Sequence, residues 1–89
     1  MEIIKPATAG TMESSDAYIE ITPSSEGISI QLESVVKAQF GDSICASVQE
    51  VLKENGVKSA TVRIVDRGAL DCVIRARVET AVMRGKGEV

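Results

Sequence analysis

Ala17-Tyr18-Ile19-Glu20-Ile21 and Ile28-Ser29-Ile30-Gln31-Leu32 decide the fold, because in both stretches an apolar residue falls at every second position. A period of two is that of a strand with one face buried and the other in water. The stretch between them, Thr22-Pro23-Ser24-Ser25-Glu26-Gly27, is rich in turn formers, so the two are expected to pair as an antiparallel hairpin with a long loop. Upstream, a further strand is expected around Ile3 to Met12. Pro6 cannot donate a ladder hydrogen bond, which makes that segment an edge strand or one bent near its middle.

Downstream the period changes. Val36, Phe40, Ile44, Val48, Val51 and Leu52 recur at spacings of three and four, the mark of a helix with one apolar face. Asn55-Gly56 supplies its stop, since glycine takes the left-handed conformation past a helix end without steric cost. Gly41 costs about 1 kcal/mol relative to alanine inside a helix. It leaves open whether the helix is continuous or breaks there, with Asp42 capping a second piece. Ala60, Val62 and Ile64 alternate with Thr61, Arg63 and Val65 in another strand, ended by Asp66-Arg67-Gly68. Leu70, Val73, Ile74, Val78, Ala81 and Val82 then form the stripe of a last helix, with Arg84-Gly85-Lys86 at its end. The order β-β-β-α-β-α points to an α+β fold, a two-layer sandwich in which two helices cover one face of a mostly antiparallel sheet. Strand order does not follow from the pattern.

With 89 residues, residues 1–89 are expected to form a single domain, large enough for one modest core and too small to enclose a substrate cleft unaided. Hydrophobic residues make up 44% and charged residues 26%, the balance of a folded chain rather than a disordered one. The net charge of -3 and the presence of only Tyr18 and Phe40 as aromatics argue against a nucleic-acid partner, whose phosphates call for Lys and Arg. No apolar run approaches the ~18 residues that cross a bilayer. The start, Met1-Glu2-Ile3-Ile4-Lys5-Pro6, lacks the basic and apolar regions of a signal peptide, so no membrane and a cytoplasmic location are expected.

The chain contains no histidine, which removes Ser/His and Cys/His nucleophile systems, and it has no G-x-x-x-x-G-K-[ST] phosphate loop. Cys45 and Cys72 are too few and too far apart for a metal site and are expected as partly buried packing residues. Glu13, Asp16, Asp42 and Asp71 are scattered over separate elements and give no catalytic pairing. Catalytic and metal-binding residues are therefore expected to be absent. A serine without a base remains: Ser14, in the polar turn Gly10-Thr11-Met12-Glu13-Ser14-Ser15-Asp16, reads as an attachment point. Taken by its spacing alone, the same segment reads first as a turn closed by side-chain hydrogen bonds.

Three segments carry more information together than apart: Gly10-Thr11-Met12-Glu13-Ser14-Ser15-Asp16, Gln39-Phe40-Gly41-Asp42-Ser43-Ile44, and Gly68-Ala69-Leu70-Asp71-Cys72-Val73-Ile74-Arg75-Ala76-Arg77-Val78-Glu79. In this order and nearly end to end, the chain resembles the acyl carrier proteins, or gamma subunits, of citrate lyase. The resemblance implies that Ser14, matching the serine of the G-T-x-E-S turn, carries phosphoribosyl dephospho-coenzyme A through a phosphodiester placed there by a prosthetic-group transferase. It also implies a non-catalytic carrier that holds acetyl and citryl thioesters between an alpha subunit, which exchanges acetyl for citrate, and a beta subunit, which releases oxaloacetate. Such a tether keeps the acyl group at high effective concentration near both active sites.

Ser15 has an equally suitable hydroxyl, and only the register of the motif favours Ser14. Gly41-Asp42-Ser43-Ile44 is similar to the D-S-L/I site of ordinary phosphopantetheine carriers, but those are helical bundles and the alternating segments here require strands. Glu13, Asp16 and Glu20 are expected to surround Ser14 with negative charge that repels the arm's phosphates. Arg63, Arg67, Arg75, Arg77, Arg84 and Lys86 are expected to be a solvated basic face. Two other functions fit the same pattern: a carrier subunit of malonate decarboxylase, and a non-catalytic regulatory or assembly module of small α+β type.

Overall fold

A computed structural model describes residues 2–88. Its elements run β1 (Ala7–Gly10), β2 (Ala17–Thr22), β3 (Ile28–Ser34), α1 (Lys37–Glu54), β4 (Ala60–Asp66) and α2 (Asp71–Gly85). The β-β-β-α-β-α order and the α+β class are those expected from the periodicities. Pro6 stands just before β1, whose position at the sheet edge leaves the missing N–H without consequence.

The sheet order is β1-β2-β4-β3. The expected hairpin between the second and third strands does not form. Instead β2 pairs antiparallel with β4, and β3 pairs parallel with β4 on its other side. The alternation of Ile28 to Leu32 fixes which face is buried and carries no information about the neighbour. Burial decides it: Ala60, Val62, Ile64, Val65 and Asp66 of β4 are all buried, the environment of a central strand, whereas every residue of β3 is exposed or half-buried. The 18 residues of α1 supply the long crossover that a parallel pair requires. Registers agree across the sheet, with Ile19 beside Ile64 and Leu32, and Ile21 beside Val62 and Ile30. On the opposite face, Glu20, Arg63 and Gln31 stand in a row.

Both helices lie on the apolar face, α2 over β1 and β2, and α1 over β3. Ile19, Ile21, Val48, Leu52, Val62, Ile64, Ile74, Val78 and Val82 make one continuous core. The α1 helix is continuous through Gly41, so no break and no cap at Asp42 occur. Its C-terminus closes as the glycine signal requires: Gly56, at φ 72°, donates its N–H to the Lys53 carbonyl, and the buried Val57 donates to Leu52. Gly87 repeats the same closure after α2.

Two members of the helical stripes are exposed rather than packed. Phe40 is 53% exposed, and Leu70, which precedes the first turn of α2, is 71% exposed. Both sit at helix starts, where the stripe runs past the end of the sheet. Cys72 is also exposed, contrary to the expected packing role, while Cys45 is half-buried.

Candidate functional site

Because β2 and β3 flank β4 in opposite directions, one end of the sheet gathers the β1–β2 turn, the C-termini of β3 and β4, and the N-termini of both helices. The turn is built from short polar side chains. Gly10 opens it at φ 90°, where a Cβ would lie 1.9 Å from the Ala17 carbonyl oxygen, so only glycine fits. Asp16 donates its N–H to the Glu13 carbonyl at 3.1 Å, closing a four-residue turn with Ser14 second and Ser15 third. Ser15 takes the left-handed conformation, φ 65°.

Asp16 is the hub of the turn. Its carboxylate accepts from the Thr11 hydroxyl at 2.6 Å and the Ala17 N–H at 2.7 Å, and from Arg77 Nε and Nη2 of α2, both at 3.1 Å. The Thr11 hydroxyl bond, followed by the Ala17 N–H and Arg77, lowers its pKa from 3.8 to about 2. The two-pronged Arg77 contact ties the turn to the helix layer. On the sheet side, Ser15 donates its N–H to the Arg67 carbonyl at 2.8 Å, and Arg67 donates to the Asp16 carbonyl at 2.9 Å, extending the β2–β4 ladder into the turn. Beneath it, the buried Asp66 accepts from Ser34 Oγ at 2.7 Å and the Ala69 N–H at 2.9 Å, and joins β3, β4 and the approach to α2.

Ser14 therefore stands exposed at the apex of a turn fixed from three sides. Ser15 is exposed too, but its backbone is clamped to Arg67. Ser43 is exposed on the second turn of α1, within a helix rather than in a turn. The expected ring of negative charge does not exist. Asp16 is paired with Arg77, and Glu20 faces Arg63 at 3.1 Å on the outer sheet surface, which leaves Glu13 as the exposed carboxylate of the turn.

The basic residues expected as a solvated face are largely engaged within the molecule. Arg75 spans Asp71 at 2.8 Å and Glu50 at 3.2 Å, Arg84 donates to the Thr8 carbonyl at 2.9 Å, and Lys86 donates to the Asn55 carbonyl. Asp71 also accepts from Ser47 Oγ, and that bond, then Arg75, holds its carboxyl below the usual range. The roles of Asp66 and Arg77 were not visible in the sequence, since nothing marked a strand-end aspartate as the partner of Ser34 and Ala69 or a helix arginine as the partner of a turn 61 residues away.

Chemically, an exposed primary hydroxyl with no adjacent base suits a group that another enzyme esterifies. Among the described residues, no helix is long and apolar enough to cross a membrane.

The family model described as malonate decarboxylase delta subunit (MdcD) matches residues 4–85. Citrate lyase acyl carrier protein 2 of Salmonella paratyphi A is 55% identical over 85 residues, spanning 94% of this chain and 88% of the relative. The citrate lyase acyl carrier protein of Latilactobacillus sakei is 49% identical over 88 residues, spanning 99% of this chain and 87% of the relative. A chain in the crystal structure of a Pseudomonas malonate decarboxylase hetero-tetramer in complex with malonate superposes with a TM-score of 0.72 over 89% of this chain and 81% of that one. At 23% identity, that likeness speaks for the fold alone. The match at about half identity over nearly its whole length places the chain in the citrate lyase acyl carrier protein family.

Proposed function

We propose that this chain is the acyl carrier subunit of a cytoplasmic citrate lyase and that Ser14 is where its prosthetic arm is attached. The observation that carries the assignment is the exposed Ser14 at the apex of a turn held by Asp16, Arg77 and Arg67, in a chain without histidine. The residues fit a phosphodiester-linked phosphoribosyl dephospho-coenzyme A: the hydroxyl is open to a prosthetic-group transferase, and its base is fixed to both layers of the fold. When bound, the arm supplies a terminal thiol for acyl carriage.

What the chain itself contributes is position. The Arg77–Asp16 contact and the Ser15–Arg67 ladder bonds keep the apex from folding back, so an arm leaving Ser14 starts from a fixed point. A fixed origin confines the thiol to a limited volume and raises its effective concentration at the alpha- and beta-subunit active sites. Citrate lyase is favoured over malonate decarboxylase by the identities of about half to the former family's carriers.

The test is co-expression with the attachment enzymes, followed by intact-mass and fragment analysis. Ser14→Ala is expected to fold and to remain at the unmodified mass, while Ser43→Ala gains the arm. An adduct that persists in Ser14→Ala refutes the assignment.

A further inference from the structure

The three sequence segments that carry the family resemblance meet at one end of the molecule, and two of them leave an apolar side chain in water there. Phe40 and Leu70, 53% and 71% exposed, stand on opposite sides of a groove of about 240 Å³ between the starts of α1 and α2. Val36, Ile44 and Ile74 line it as well. No Lys or Arg lines it, and its one carboxylate, Asp71, is already committed to Ser47 and Arg75. Ser43 is its remaining polar side chain, so the groove offers mainly contact to apolar atoms and, among its side chains, no cation to pair a free carboxylate. It is also smaller than the ~300–1,000 Å³ of pockets that enclose drug-sized ligands.

Its place relative to Ser14 follows from the registers. Ala17, Asp66 and Ser34 lie side by side across the sheet, two strand spacings or about 10 Å, with Ser14 beyond the first and Val36 beyond the last. Ser14 and the groove therefore lie at the same end of the sheet, on strands about 10 Å apart, and a short flexible tether rooted at Ser14 gives its end an effective concentration in the mM range there. Millimolar affinity is then enough to populate a docked state.

Resting on the reading of Ser14 as the attachment residue, we propose that the groove between Phe40 and Leu70 is an intramolecular docking site for the uncharged end of the prosthetic arm. An end that bears a carboxylate stays in solvent, free for a partner subunit.

The experiment uses the full chain, loaded with the arm in a Cys45→Ala/Cys72→Ser background, with the arm's thiol capped by iodoacetamide (neutral) or iodoacetate (charged). Methyl and amide NMR spectra are compared with those of the unloaded chain. The neutral cap is expected to shift the resonances of Ile44, Leu70 and Ile74, and the charged cap to leave them at their unloaded positions. Leu70→Asp places a good capping residue at the N-cap of α2, so the helix is retained. In that variant the shifts at Ile44 and Ile74 are expected to disappear. If mass analysis finds the arm on Ser14 and the shifts stay confined to residues 11–16 and 67 with both caps, the docking site is refuted while the attachment stands. Equal groove shifts with both caps refute the charge selectivity, and an arm mapped to another residue removes both readings.

Discussion

Replacing Gly10 by alanine tests whether the Ser14 turn is held as tightly as its geometry requires. Two costs add. A non-glycine residue in the left-handed region pays about 1–2 kcal/mol, and at Gly10 the new methyl carbon would sit 1.9 Å from the Ala17 carbonyl oxygen. Relieving that overlap displaces Ala17, whose N–H is bonded to Asp16, and so loosens the hub as well. Overpacking of this kind costs a further ~1–3 kcal/mol, for a total near 2–5 kcal/mol.

Gly27 is the built-in control, because it has nearly the same conformation, φ 88°, with nothing within 4 Å of an added methyl. Gly27→Ala should show the conformational cost alone, ~1–2 kcal/mol. For a chain of 89 residues unfolding with ~2.1 cal/mol/K per residue, each kcal/mol lowers Tm by about 5 °C. Thermal and urea unfolding followed by circular dichroism should place Gly10→Ala roughly 10–25 °C below the wild type, and Gly27→Ala roughly 5–10 °C below. Equal losses in the two variants would show that the turn yields at Ala17 without cost, and the picture of a rigid base for Ser14 would fall.

Ser15→Gly should stabilise the chain by about 1 kcal/mol, because glycine takes φ 65° without strain, and should still accept the arm. A destabilised variant would show that the left-handed backbone at Ser15 carries no strain, and an unmodified one would transfer the functional role to Ser15. Gly41→Ala should raise stability by about 0.5–1 kcal/mol through helix propensity, since the added methyl meets the flexible Lys37 side chain at 3.3 Å; a drop in the urea midpoint would mean that the space is not free. For Asp16 the sign is set by its depressed pKa of about 2 against 3.8. The folded state binds its proton more weakly than the unfolded state, so its contribution is full above pH ~4 and is lost as pH falls through about 2. The stability gap between wild type and Asp16→Asn should close over that window, and a gap unchanged from pH 5 to pH 2 would show that the carboxylate's charge does not hold the turn.

The elements themselves were legible in the sequence because periodicity is local. The alternation in Ala17 to Ile21 and Ala60 to Val65, the helical spacing from Val36 to Leu52 and the Asn55-Gly56 stop each report on a short stretch of backbone. The motif around Ser14 was legible for the same reason, as a polar turn ahead of a strand. Side-chain period states which face is buried and is silent on which strand lies alongside, so the insertion of β4 between β2 and β3 could not be read. Phe40 and Leu70 continue their stripes in sequence, and only the end of the sheet beneath them leaves both in water. The Arg77–Asp16 and Ser15–Arg67 contacts join residues 61 and 52 positions apart. Such pairs exist because packing two helices on a mixed sheet brings those backbone ends together, and no local pattern encodes that meeting. The sequence alone thus determined the elements and the serine that stands out from them; the tertiary structure alone decided strand neighbours, the clamp beneath that serine and the groove beside it.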